Sequence, residues 1–265
     1  MPSQATADCA VTAGAGNVVM QANETVLRLE GVHKNFGGLV VLTNIDLAIG
    51  KGELVGLIGP NGAGKSTLFN VITAIYTPSS GKVRFAGADI TGTAPHKICR
   101  LGIARTFQLV RTFLTMTAYE NVMVGAVYGS GGRVKDAAKA ATEALELVGL
   151  TGKRDVQTAH MTLSDRRLLE IARAVASEPS LLLLDEPMAG LNATEIKQMV
   201  EVIRRTRNEK GISILWVEHK VDAIMKVCSR VVVLDHGEKI ADGTPHEVAT
   251  NRKVIEAYLG EPAST

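Results

Sequence analysis

Cysteine is scarce in this chain: three in 265 residues, at Cys9, Cys99 and Cys228, far apart and without CxxC or Cys/His spacing. That pattern argues against a disulfide framework or a thiolate metal site and fits reduced thiols. Long apolar runs are also missing. The longest, "LLLL" at 181–184 and "VVVL" at 231–234, are strand-sized, well short of the roughly 18 residues a membrane span needs, so the chain does not cross a bilayer by itself. Charge of one sign is lacking too: the formal net charge is +2, and no long basic block suggests nucleic acid as a partner. Residues 1–24 are small and polar without Lys or Arg; they have no charged n-region of a secretory signal and are expected to be a disordered leader. Residues 261–265 are expected to be a short tail.

What is present divides into three stretches, with no internal repeat of 20–50 residues. From "TVLRLEGVHKNF" onward, short strands with Gly-bearing turns are expected, and "NIDLAIGKGE" puts Ile45, Leu47 and Ile49 on one face at period two, the mark of an antiparallel region. "GKVRFAGADI" (81–90) joins it as a strand and turn. "ELVGLIG" (53–59) reads as a buried strand, followed by a Gly-rich loop and a helix from about Lys65 to Ile75. Between about 110 and 173 the pattern becomes helical, with Val134, Ala138, Ala141, Leu145 and Val148 forming one apolar stripe that suits packing. "LLLLDE" (181–186), "SILWVEH" (213–219) and "RVVVLDH" (230–236) alternate with helical segments, as in a mostly parallel sheet covered by helices. The expected fold is α/β, one domain over 25–260 with a helical insert at about 110–173.

The most specific motif is "GPNGAGKST", comprising Gly59, Pro60, Asn61, Gly62, Ala63, Gly64, Lys65, Ser66 and Thr67. It fits G-x-x-x-x-G-K-[ST] and lies between a strand and a helix, the setting that confirms a phosphate loop. The glycines permit close backbone approach, and successive N–H groups with the helix N-terminus can surround phosphate oxygens. Lys65 is suited to reach the β- and γ-phosphates, and the Ser66 hydroxyl to bind Mg²⁺. Asp185 closes "LLLLD" as a candidate Mg²⁺ carboxylate. The adjacent Glu186 could orient or deprotonate an attacking water. The cofactors implied are ATP and Mg²⁺.

From about residue 25 to 260 the chain resembles the nucleotide-binding subunits of ABC transporters, carried by "GPNGAGKST", the glutamine of "RTFQ" (105–108), "LLLLDEP", "AGLN" (189–192) and the histidine of "WVEH" (216–219). The fold so implied is a P-loop NTPase core of ABC ATPase type with an N-terminal antiparallel β region and an inserted helical subdomain. The resemblance makes Gln108 the sensor of Mg²⁺ and the attacking water; otherwise it is a surface amide. It makes His219 the γ-phosphate contact, and Phe36 the aromatic that stacks on adenine; the other reading of Phe36 is an edge-strand aromatic.

In this family two subunits sandwich two ATP molecules, the phosphate loop of one facing a sequence close to LSGGQ in the other. Here Met161, Thr162, Leu163, Ser164 and Asp165 occupy those positions. Two readings stand: Thr162 and Ser164 contact ATP in trans, or they cap the helix, with Asp165 completing a capping box. Arg166 and Arg167 sit badly for the helix dipole, a conflict that Asp165 or an arriving phosphate would relieve.

"ARTFQLVRTFLTMTAYENV", "DEPMAGLN" and the tail from "VVVLDHGEKIADG" to "EAYLGE" look most like branched-chain amino-acid importer ATPases. Lipopolysaccharide-export ATPases share the tail but usually keep a regular signature. A soluble ABC-type ATPase of DNA repair or translation would differ by a coiled-coil insertion or a basic arm. The resemblance implies a peripheral protein on the cytoplasmic face of the membrane. Its expected partners are integral-membrane permeases, a second ATPase subunit, identical or related, and an external substrate-binding protein. The permease is expected in a groove near Gln108.

Overall fold

A computed structural model describes residues 24–129 and 134–259. The expected leader up to residue 23, with Cys9, and the expected tail at 261–265 lie outside the described residues. In chain order the elements are β1 (Thr25–Phe36), β2 (Leu39–Gly50), β3 (Leu54–Ile58), α1 (Lys65–Ile72), β4 (Ser80–Phe85), β5 (Ala88–Asp89), α2 (Pro95–Leu101), β6 (Ile103–Arg105), α3 (Ala118–Gly129), α4 (Val134–Leu147) and α5 (Leu163–Val175). They continue with β7 (Leu181–Asp185), α6 (Ala193–Lys210), β8 (Ser213–Val217), α7 (Val221–Val227), β9 (Arg230–Asp235), β10 (Glu238–Gly243), α8 (Pro245–Ala249) and α9 (Arg252–Leu259).

Two sheets form. One has the order β2-β1-β4-β5 and is antiparallel; the other has the order β10-β9-β3-β8-β7-β6, parallel except for the antiparallel edge strand β10. The continuous apolar runs of β3, β7, β8 and β9 arise because both faces of this sheet are covered. Leu54, Leu182, Leu184, Ile214, Trp216, Val231 and Val233 face the helical side with α3 to α6. Their alternating neighbours Val55, Leu57, Leu181, Leu183, Leu215 and Val232 face α1 and the antiparallel sheet. Ile45, Leu47 and Ile49 are buried on one face, as their period requires. Gly56 admits α7 at short range: a Cβ there would lie 2.3 Å from Ile224 Cγ2.

Several boundaries differ from the sequence expectation. β1 is one long strand with register shifts instead of short strands. α1 ends at Ile72, and Ala74 has φ 56, a left-handed turn that stops the helix three residues short of Ile75. The described part of the 110–173 stretch carries α3, α4 and most of α5, with short 3-10 turns at Thr151–Lys153 and Thr158–His160 between α4 and α5. The expected stripe of α4 and the residue after it is buried at Ala141, Leu145 and Val148, while at its start Ala137 is buried in place of the half-buried Ala138; the side chain of Val134 lies outside the described residues. Among the described residues, no helix is long and apolar enough to cross a membrane. The thiol of Cys228 is buried and pushed up to about 12 by burial, that of Cys99 is also raised by burial, and both are free.

Candidate nucleotide site

β3 delivers the loop that opens α1. Gly59 has φ 152, and a Cβ there would lie 2.1 Å from the Leu234 carbonyl, so no other residue fits. Gly64 caps α1 at φ 99. The Lys65 ammonium donates to the Gly59 carbonyl at 2.6 Å and the Pro60 carbonyl at 2.9 Å. Burial lowers its pKa, while Glu186 and Asp185 favour the charged form. The loop and α1 floor a cavity of about 320 Å³. Residues 61–67, Val41, Gln108, Glu186 and His219 line it.

Opposite the loop, three side chains from distant segments converge. Glu186 accepts from Gln108 Nε2 at 3.0 Å and lies 2.9 Å from His219 Nε2. Its backbone has φ 50, rarely adopted by an L side chain, and its N–H donates to the Val217 carbonyl at 2.9 Å, tying the end of β7 to β8. The carboxylate therefore sits between an amide and an imidazole at the mouth of a phosphate-sized cradle. That arrangement can orient a water and accept its proton.

Asp185 is buried at the end of β7, where Arg105 pairs with it at 2.7 Å; the same guanidinium donates to Asn70 at 2.6 Å. This pair was not foreseen, although "RTFQ" contains Arg105. The donor chemistry of the Ser66 hydroxyl, the Gln108 amide oxygen and the Asp185 carboxylate is all oxygen, which suits a small hard cation such as Mg²⁺. Among the described residues no group of three His, Cys, Asp or Glu could hold a metal alone, so phosphate oxygens would have to complete the set.

α5 holds the segment after β6. Arg167 donates to the Phe107 carbonyl at 3.1 Å. Glu170 accepts from the Arg111 N–H at 2.6 Å, and Arg173 donates to the Arg111 carbonyl at 2.6 Å. Burial raises the Glu170 pKa. Beside them lies a groove of about 590 Å³, bounded by α2, α3 and α5 and reaching Arg105 and Phe107.

Asp185, Phe36, Thr162 and Ser164 are not among the residues that line the cavity of their own chain, and Ser164 is buried. Phe36, 41% exposed at the end of β1, packs edge-on to Tyr76 at 5.0 Å, with Lys34 4.8 Å above its ring. Thr162 caps α5: its side chain accepts from Asp165 N–H at 3.1 Å, and Asp165 accepts from Thr162 N–H at 3.3 Å. Lys153 adds two contacts of 2.7 Å to Asp165. Burial opposes ionisation of this carboxyl, but Lys153 and Thr162 outweigh it and hold its pKa below the ordinary value. The arginines settle on carbonyls: Arg166 donates to Met161, and Arg167 turns back to Phe107. Asp165 pairs with Lys153, not with either arginine.

Known proteins share this design. The family model described as ABC transporter matches residues 42–189. The chain belongs to the ABC transporter ATP-binding family. Within that family, a model described as branched-chain amino acid ATP-binding cassette transporter matches residues 238–264. The cassette is 38% identical over 253 residues to the high-affinity branched-chain amino acid transport ATP-binding protein LivG of Salmonella typhimurium, covering 90% of this chain and 99% of that one. It is also 38% identical to BraF of Pseudomonas aeruginosa, over 89% and 98%. The lipopolysaccharide export ATP-binding protein LptB of Haemophilus influenzae is 32% identical over 89% and 98%. Among solved structures, the ADP conformation of MJ1267, an ATP-binding cassette of an ABC transporter, superposes with TM-score 0.79 at 30% identity, over 89% of this cassette and 99% of that chain.

Proposed function

We propose that this chain is the ATP-hydrolysing subunit of an importer for branched-chain or related amino acids. It works as a peripheral protein on the cytoplasmic face of the membrane, beside integral-membrane permeases and a second ATPase chain, with an external substrate-binding protein supplying cargo. The observation that carries hydrolysis is the position of Glu186, within 3.0 Å of both Gln108 and His219 at the cavity floored by the Lys65 loop. The likeness to LivG and BraF at 38% identity supports the choice of cargo over lipopolysaccharide export, whose relative stands at 32%.

ATP enters with its phosphates against the N–H groups of residues 61–67, and Lys65 exchanges its loop carbonyls for phosphate oxygens. Ser66, Gln108 and Asp185 would hold Mg²⁺, and the ion would supply positive charge to offset that of the phosphates. Glu186 orients a water and takes its proton as the water attacks; Gln108 and His219 hold that carboxylate in place, and His219 can reach the γ-phosphate. Phe36 stacks on adenine. Thr162 and Ser164 face the partner subunit's nucleotide. A permease segment seats in the groove beside Arg105 and Phe107, so a change at the phosphates reaches the membrane through residues 105–113.

The test has two arms. Purified full-length chain should hydrolyse Mg-ATP, and Lys65→Ala should not; equal rates would sink the phosphate-loop role. Expressed with its permeases, it should drive uptake of labelled leucine, isoleucine or valine, and uptake of none of them would overturn the cargo.

A further inference from the structure

Behind the Glu186–His219 contact lies a further acidic side chain to which the reaction scheme gives no role. Glu218, between the last residue of β8 and His219, is 3% exposed. Its Oε1 accepts from the Met188 N–H at 2.8 Å and its Oε2 from the His219 N–H at 3.1 Å. One carboxylate thus joins the turn that follows Glu186 to the turn that carries the histidine.

Both carboxyl oxygens accept from N–H donors, so an amide in this place would turn its NH₂ towards one of them. Burial raises the Glu218 pKa, and backbone N–H groups counter it. Keeping a carboxylate inside the protein is costly unless such donors surround it. The turn it holds is itself conformationally demanding: Glu186 has φ 50 and is fixed at one end by the Val217 carbonyl at 2.9 Å. Met188, two residues on, is fixed by Glu218. The 2.9 Å approach of His219 Nε2 to Glu186 depends on both turns keeping register.

We propose that Glu218 is a positioning residue for ATP hydrolysis, acting through His219 by locking the histidine turn to the turn after Glu186. The inference rests on the hydrolytic role given above to Glu186 and His219. Glu218→Gln keeps size but replaces an acceptor by a donor.

Steady-state hydrolysis of Mg-ATP by the full-length chain is measured for wild type, Glu218→Gln, His219→Ala and the double variant, with nucleotide affinity as the check on folding. Glu218→Gln should lower kcat on the order of 10-fold, as small misplacements of reacting groups do, with KM and affinity within about 2-fold. In the His219→Ala background it should add nothing, because its route of action is gone. If Glu218→Gln binds no nucleotide, Glu218→Asp, with charge kept and reach shortened, takes its place with a loss of several-fold. Wild-type kcat in Glu218→Gln, or an equal loss from either variant with and without His219, overturns the proposal. A wild-type chain that does not hydrolyse ATP at all instead overturns the hydrolytic reading on which it rests.

Discussion

The phosphate loop and the N-terminus of α5 are both helix starts, yet they are built to opposite ends. At α1 the cap is Gly64, no side chain bonds to the first turn and no acid sits in it. The orphan N–H groups of that turn therefore face the cavity. At α5 the first turn is closed by the Thr162–Asp165 box, and Asp165 is paired in turn with Lys153. One helix start is left open for an anion from outside, and the other carries its own. A Cβ at Gly59 or Gly64 of the first would lie 2.1 or 2.8 Å from a neighbouring atom, whereas the second opens on Leu163 and Ser164. An α5 terminus already holding a carboxylate has less to offer an anion from outside than the open start of α1.

The largest effect that sharpens this contrast belongs to the open site. Glu186→Gln should bind ATP with ordinary affinity and lose kcat by roughly 100- to 10,000-fold, the range for removing a general base. Normal turnover would remove Glu186 from the chemistry. Lys65→Ala should weaken nucleotide binding roughly 10- to 100-fold, since a charge-assisted hydrogen bond contributes about 1.5–3 kcal/mol. Titration with a fluorescent nucleotide measures it, and unchanged affinity would mean that the backbone N–H groups suffice alone.

Smaller effects belong to the closed terminus. Thr162→Ala removes a capping box and should cost about 1 kcal/mol, with a fall in Tm of about 2–4 °C. Ser164→Ala, which leaves the cap in place, should not lower Tm. Both should weaken ATP-driven pairing of the subunits. If sedimentation shows pairing untouched in both, the segment is a cap and nothing more, and the facing subunit must use another surface.

The contrast also marks how far the sequence was readable. The phosphate loop was legible because its residues are contiguous and its strand–loop–helix setting is local. The α/β pattern was legible because strands buried on both faces leave continuous apolar runs. The Thr162–Asp165 box, three residues apart, was legible for the same local reason. Gln108, Glu186 and His219 came from motif order, and only the fold shows them within 3.0 Å. Arg105 with Asp185, and Glu218 with Met188, are separated by 80 and 30 positions; no spacing rule links such residues. The three residues of β6 are too short to show periodicity. The exit of α1 was misjudged because Ala74 takes a left-handed turn that its residue type does not advertise.

The smallest expected effect isolates the charge in the closed cap. Lys153 and Thr162 outweigh burial and hold the Asp165 carboxyl below its ordinary range, so its contribution to stability is present above the unfolded pKa and fades as pH falls through the lower, folded one. Asp165→Asn keeps the shape and removes the charge. The stability difference between wild type and this variant should be constant from neutral pH down to about pH 4 and shrink only below it. It should also fall with added salt, because half of the Lys153 side chain is in water and such pairs are screened. Thermal unfolding across pH and salt reads both dependences. A difference that vanished between pH 7 and 5 would place the stabilising charge on another group. One indifferent to salt would assign the cap's strength to the Thr162 bonds alone, leaving the α5 terminus less self-sufficient in charge than its ion pair implies.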